Sequence, residues 1–146
     1  MTIVRLGGIN TLSTNDTDGI AASIFFQGCN FNCKGCHNPE LQTFDGGEIT
    51  TTGEVIKRIK EHIKWYDSVA FMGGEPMAQQ EALTDLLERT KALGLKRWLY
   101  TGYEIDDVPD DIKTLCDVIV AGHYVEELRT GGFPASSNQV IYRRNV

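Results

Sequence analysis

"IAASIFFQGCNFNCKGCHNP", Ile20–Pro39, joins an apolar run to a loop that carries Cys29, Cys33 and Cys36. Ile20–Phe26 is short, rich in isoleucine and phenylalanine, and ends at Gly28, so it reads as a buried strand. "TTGEVIKRIKEHIKWY" (Thr51–Tyr66) reads as a helix: Val55, Ile56, Ile59 and Ile63 fall on one stripe of a 3.6-residue period. Thr51 and Glu54 have the spacing of a capping box at its start. "SVAFM" (Ser68–Met72) is a strand cut off by "GGEP", and a second helix runs from about Ala78. In that helix Leu83, Leu86, Leu87, Thr90 and Leu93 share a face, and Gly94 suits the position just past its end. "KRWLYT" (Lys96–Thr101) is the next strand, "DDIKTL" a short helix after Pro109, and "DVIVAG" (Asp117–Gly122) another strand. The tail "GGFPASSNQVIYRR" reads as a loop followed by a candidate last strand.

Strands and helices in strict alternation predict an α/β fold with a mostly parallel, open sheet. Such sheets carry their chemistry at the carboxyl ends of the strands. The unusual loops all fall there: the cysteine loop, "GGEP", "TGY" and "AGHY" each follow a core strand. Four such loops on one edge predict one shared site. A closed eight-stranded barrel takes ~250 residues, so the 146 residues fit a compact partial (β/α) barrel.

The bulk properties narrow the function. A chain of 146 residues suits a single domain, 1–146, with a core that needs no disulfide staples. The net charge of −6 argues against a nucleic-acid partner, which would call for a basic face. No apolar run reaches the ~18–20 residues of a membrane span. The first residues, "MTIVRLGGINTLSTNDTDG", show no charged leader followed by an apolar stretch. A cytoplasmic protein with reduced thiols is expected.

Three cysteines within eight residues, among Gly28, Asn30, Asn32, Lys34 and Gly35, make a poor piece of core. A zinc site with His37 as fourth ligand is one alternative, although His37 adjoins Cys36 and no second cysteine pair follows. An iron–sulfur cluster is the other, since thiolates are its usual ligands. Three thiolates on a 4Fe-4S cluster leave one iron open, as a catalytic site requires. Cys116, beside the strand "DVIVAG", reads as a buried thiol.

The C-x3-C-x2-C loop after a first strand resembles the radical S-adenosylmethionine superfamily, and Met72–Pro76 resembles its GGEP motif. "FFQGCNFNCKGCHNP", "LYTGY" (Leu99–Tyr103), "DVIVAGHY" (Asp117–Tyr124) and "SSNQ" (Ser136–Gln139) together resemble the activating enzymes of anaerobic (class III) ribonucleoside-triphosphate reductases. Order and spacing match from Asp16 onward. Two stretches depart from the family pattern. Ala21 stands where members often have arginine, and Ala121-Gly122-His123 where they often have Asp-Gly-Lys.

The resemblance implies a radical S-adenosylmethionine fold with two cofactors, a 4Fe-4S cluster and S-adenosylmethionine. Cys29, Cys33 and Cys36 would bind the metal. Gly35, Cys36 and His37 would lie against the adenine, and Gly73, Gly74 and Glu75 would receive the methionyl end. Reduction by an external one-electron donor, such as a flavodoxin or ferredoxin, would cleave S-adenosylmethionine to a 5′-deoxyadenosyl radical. The radical would abstract hydrogen from a glycine of the partner reductase, in the absence of oxygen. No general base is required and none is assigned. Competing readings are a pyruvate formate-lyase activase, a 7-carboxy-7-deazaguanine synthase acting on a small molecule, and a zinc-stabilised binding module without catalysis.

Overall fold

The computed structural model describes residues 2–29, 31 and 39–144. Seven strands form one sheet: β1 (Ile3–Ser13), β2 (Ala21–Phe26), β3 (Glu48–Thr51), β4 (Ser68–Gly73), β5 (Lys96–Thr101), β6 (Val118–Ala121) and β7 (Val140–Arg143), in the order β3-β1-β2-β4-β5-β6-β7. The four strands read as apolar runs, β2, β4, β5 and β6, lie side by side and parallel. Their register puts Ile24 beside Phe71, Phe71 beside Leu99, and Leu99 beside Ile119.

The flanks are antiparallel. β1 pairs with both β2 and β3, and β7 pairs with β6. The sheet is therefore mixed around a parallel centre, an α/β partial barrel rather than an all-parallel one. β1 and β3 had no counterpart in the sequence reading. Val4 and Leu6 are buried but Ile3, Leu12 and Ile49 are exposed, and Gly7-Gly8 interrupts the alternation that marks a half-buried strand.

Three helices cover one face of the sheet: α1 (Thr52–Lys60), α2 (Gln80–Ala92) and α3 (Asp110–Leu115). Val55, Ile56 and Ile59 of α1, Leu83, Leu86 and Leu87 of α2, and Ile112 of α3 join Ile24, Phe26, Phe71, Leu99 and Ile119 in one core. The N-cap half of the expected capping box is present, with the Glu54 amide donating to the Thr51 hydroxyl at 3.2 Å, while the Glu54 carboxylate lies 3.8 Å from Arg58. Gly94 ends α2 in the left-handed region, φ +79°.

α1 stops at Lys60, short of the predicted Tyr66, and Ile63–Trp65 form a 3-10 turn. The early stop serves the packing beyond it. Tyr66 Oη donates to the Thr11 carbonyl at 2.7 Å, and the Asp67 amide donates to the Ile20 carbonyl at 2.8 Å. A helix continued through Tyr66 would carry both groups away from β1 and the start of β2.

On the other face of the sheet Ala70, Met72, Trp98, Tyr100, Val118 and Ile141 pack together. Tyr100 Oη donates to the Asp16 carbonyl at 2.6 Å across this face. The Phe133 ring lies 6.3 Å from that of Tyr100 and 6.5 Å from that of Trp98. No helix of the described residues is long and apolar enough to cross a membrane.

Candidate functional site

Parallel strands share a direction, so the turns after β2, β4, β5 and β6 emerge on one edge. There they border a cavity of about 190 Å³, lined by Cys29, Met72–Glu75, Tyr100–Gly102, Gly122–Tyr124 and Gln139 among others. The convergence expected from the four loops is what the fold produces.

Residues 28–29, just after β2, pair with residues 41–42. Gly28 N donates to Leu41 O at 2.8 Å and Cys29 N to Gln42 O at 3.0 Å. Gln27 is buried and its side-chain amide braces the segment after the cysteine loop, donating to the carbonyls of Glu40 (3.1 Å) and Thr43 (2.6 Å). The Cys29 sulfur accepts the Phe31 amide hydrogen at 3.4 Å and borders the cavity. Cys33, Cys36, Gly35 and His37 lie outside the described residues.

Gly73, Gly74 and Glu75 meet Cys29 at this cavity because their backbone is stitched to the end of β2. Gly74 N donates to Phe26 O at 2.8 Å and Glu75 N to Gly28 O at 2.7 Å. A Cβ on residue 74 would stand 2.3 Å from the Gly28 carbonyl oxygen and 2.6 Å from that of Leu41. Only glycine permits so close a backbone approach.

Glu75 is 1% exposed, and its carboxylate is turned into the protein. One oxygen accepts from Met77 N (2.9 Å) and Thr101 Oγ1 (2.7 Å), the other from Gly102 N (2.6 Å). Burial raises its pKa above the ordinary carboxylate value, opposed by the hydrogen bonds from Gly102, Met77 and Thr101. The side chain expected to reach a ligand is thus first of all a tie between the β4 and β5 turns.

Thr101 caps its own turn, accepting from Tyr103 N at 3.2 Å, and its hydroxyl also donates to Glu75. The sequence signal was the "TGY" stretch, which carried the resemblance without a role for its threonine. Beyond it, Gly122 N donates to Tyr103 O at 2.8 Å. The exposed His123 ring lies parallel to Phe31, 6.1 Å away, and Tyr103 meets Phe31 edge-on at 5.1 Å. Cys116 stands apart from the site, fully buried, its thiol pushed up to about 12 by burial. Inert packing is its role, as expected.

The described wall fits a thiolate-bound metal group with a small polar ligand beside it. One side offers the sulfur of Cys29, a soft donor suited to iron or zinc. The facing side offers glycine backbone, which admits a ligand without side-chain obstruction. Met72, Tyr100 and Val120 contribute a largely apolar floor.

Comparison with known proteins agrees with this chemistry. The model of the family described as "4Fe-4S single cluster domain" matches residues 16–142. The anaerobic ribonucleoside-triphosphate reductase-activating protein of Vibrio cholerae is 31% identical over 137 residues, covering 86% of this chain and 88% of that protein. The pyruvate formate-lyase-activating enzyme of Clostridium pasteurianum is 32% identical over 118 residues, covering 77% of this chain. The chain spans only half the length of that second relative. Among solved structures, QueE from Escherichia coli superposes with a TM-score of 0.59 at 19% identity, over 92% of this chain and 65% of that one, a likeness of fold.

Proposed function

This chain belongs to the 4Fe-4S single cluster domain family and, within it, to the radical S-adenosylmethionine activating enzymes, and we propose that it activates an anaerobic ribonucleoside-triphosphate reductase by taking hydrogen from one of its glycines. The observation that carries the reading is the meeting of Cys29 with Gly73, Gly74 and Glu75, from two different strand ends, at one cavity. The near-complete overlap with the reductase-activating protein supports that partner over pyruvate formate-lyase, whose activase is twice as long as the matched region.

In this reading Cys29, Cys33 and Cys36 hold the cluster. Gly35, Cys36 and His37 contribute to adenine binding, and Gly73, Gly74 and Glu75 form the seat for the methionyl end. When bound, the reduced cluster and S-adenosylmethionine supply a carbon-centred radical able to take hydrogen from a glycine Cα. The chain's own residues bind, orient and exclude water. Gly73 and Gly74 let the ligand approach the strand end. Glu75 fixes the neighbouring turn through Thr101 and Gly102. Met72, Tyr100 and Val120 keep the floor apolar, which protects a reactive species from solvent. The whole of residues 1–146 acts as one radical S-adenosylmethionine domain. It works in the reducing cytoplasm, with an external one-electron donor such as a flavodoxin or ferredoxin.

The test is anaerobic incubation of the reconstituted chain with S-adenosylmethionine, a reductant and the reductase, followed by EPR. A glycyl radical on the reductase that requires all components is the expected result. Cleavage of S-adenosylmethionine with no radical on that reductase, and a radical on pyruvate formate-lyase instead, would move the chain to the other activase class. A chain that binds zinc and leaves S-adenosylmethionine intact would end the enzyme reading.

A further inference from the structure

We propose that Asn138 and Gln139 are positioning residues that set the affinity for S-adenosylmethionine by fixing the turn after β6 as one wall of the cavity, an inference that rests on the function proposed above. "SSNQ" (Ser136–Gln139) had carried resemblance but no role. The structure shows what it holds. Gln139 Nε2 donates to Gly122 O at 2.9 Å and Asn138 Nδ2 donates to His123 O at 3.0 Å. Adjacent side-chain amides thus grip adjacent carbonyls of one turn.

The Gln139 half of the grip has a fixed orientation. Gln139 Oε1 accepts from Ser136 N at 3.0 Å, so rotating the amide would lose that bond and the one to Gly122 together. Ser136 is fully buried, and its hydroxyl accepts from Val125 N at 3.2 Å, which pins the turn at its far end. From the opposite side Gly122 N donates to Tyr103 O at 2.8 Å.

The held turn is a working surface. Gly122, His123 and Tyr124 border the same cavity as Cys29 and Gly73–Glu75. His123 also lies flat against Phe31, whose amide donates to the Cys29 sulfur. The connection from β6 to β7 contains only short turns and an isolated bridge, Arg129 with Ser136, so no long element fixes this wall. The amides of Asn138 and Gln139 supply that constraint. They act through the turn, to whose carbonyls each amide nitrogen donates.

The experiment compares Gln139→Met and Asn138→Ser with the wild type and with Glu127→Ala, an exposed position in the same connection. S-adenosylmethionine affinity is titrated by EPR on the reduced, reconstituted proteins. Iron content, the melting temperature of the cluster-free chain, and the His123 ring-proton NMR shifts are read alongside. Each of the two clamp variants should weaken binding about tenfold, equivalent to about 1.4 kcal/mol. Iron content and melting temperature should stay at wild-type values, and the His123 ring-proton shifts should move from their wild-type positions as the ring leaves its place beside Phe31. Glu127→Ala should bind as the wild type does. Clamp variants that bind as tightly as a binding-competent wild type overturn the inference alone. So does a loss of affinity matched in Glu127→Ala or explained by a lower melting temperature. A wild type that assembles its cluster and does not bind S-adenosylmethionine overturns this inference and the proposed function together.

Discussion

Replacing Thr101 by valine tests the tie between the β4 and β5 turns with almost no change of shape. The substitution removes the hydroxyl that donates to Glu75 at 2.7 Å and accepts from Tyr103 N at 3.2 Å. Thr101 is 5% exposed and Glu75 1%, so water cannot readily replace the lost partner. A hydrogen bond to a charged group is worth ~1.5–3 kcal/mol and one to a neutral group ~0.5–1.5 kcal/mol. The cost should therefore depend on pH. Burial holds the folded-state pKa of Glu75 above its ordinary 4.5. Between those two values the folded chain keeps a proton that the unfolded chain has released, so stability falls as the pH rises through the folded pKa. Thr101 is one of the three donors opposing that shift, and its removal raises the folded pKa further. Thr101→Val should thus cost about 1.5–3 kcal/mol at about pH 8 and less at about pH 5. The assay is urea unfolding of the cluster-free chain, followed by circular dichroism at both pH values. Equal losses at the two pH values, or a loss under about 0.5 kcal/mol at the higher one, would refute the assignment of Glu75 as a charged, buried tie.

Gly74→Ala should destabilise the chain by ~1–3 kcal/mol in the same unfolding assay, because the new methyl would stand 2.3 Å and 2.6 Å from backbone oxygens that must move. It should also abolish S-adenosylmethionine binding in the reconstituted protein. Cys116, with its thiol pushed up to about 12, should resist iodoacetamide in the folded cluster-free chain and react once urea unfolds it. Labelling followed by peptide mass analysis reads both states. Asp18→Ala removes the ion pair with Arg143, whose partners are 73% and 51% exposed. Its cost should stay within ~0–1 kcal/mol, a shift in melting temperature of a few degrees at most.

The parallel centre of the sheet was legible because burial on both faces leaves an unbroken apolar run. "AASIFF", "SVAFMG", "KRWLYT" and "VIVA" all sit in the sheet where that pattern puts them. The helices were legible from their stripes, with Leu83, Leu86, Leu87 and Thr90 buried as read. β1 and β3 were not, because their identity as strands depends on partners remote in sequence and little apolar repetition marks them locally. β1 is a strand by virtue of pairing with β3 through Ile3–Leu6 and with β2 through Leu6–Ser13. The end of α1 was misplaced for a similar reason. Ile63 continues the helical period, and the requirement that ends the helix is made by Thr11 and Ile20.

For the site, spacing exposed which residues gather but not which way they face. Cys29 and the glycines of "GGEP" were readable as a pair of loops on one edge. That the Glu75 carboxylate points inward could not be read, since its donors, Thr101 and Gly102, belong to the next strand. Taken in order, the site turns out to be linked loop to loop. Glu75 N donates to Gly28 beside Cys29, Thr101 and Gly102 donate to the Glu75 carboxylate, Gly122 donates to Tyr103, and Gln139 donates to Gly122. Each strand end is thereby positioned by a neighbour, from the cysteine loop to the residue before β7. Alternating β and α units account for the convergence of these loops. Their mutual spacing rests on hydrogen bonds between chain segments far apart in sequence, several of them donated or accepted by side chains that look ordinary when read singly.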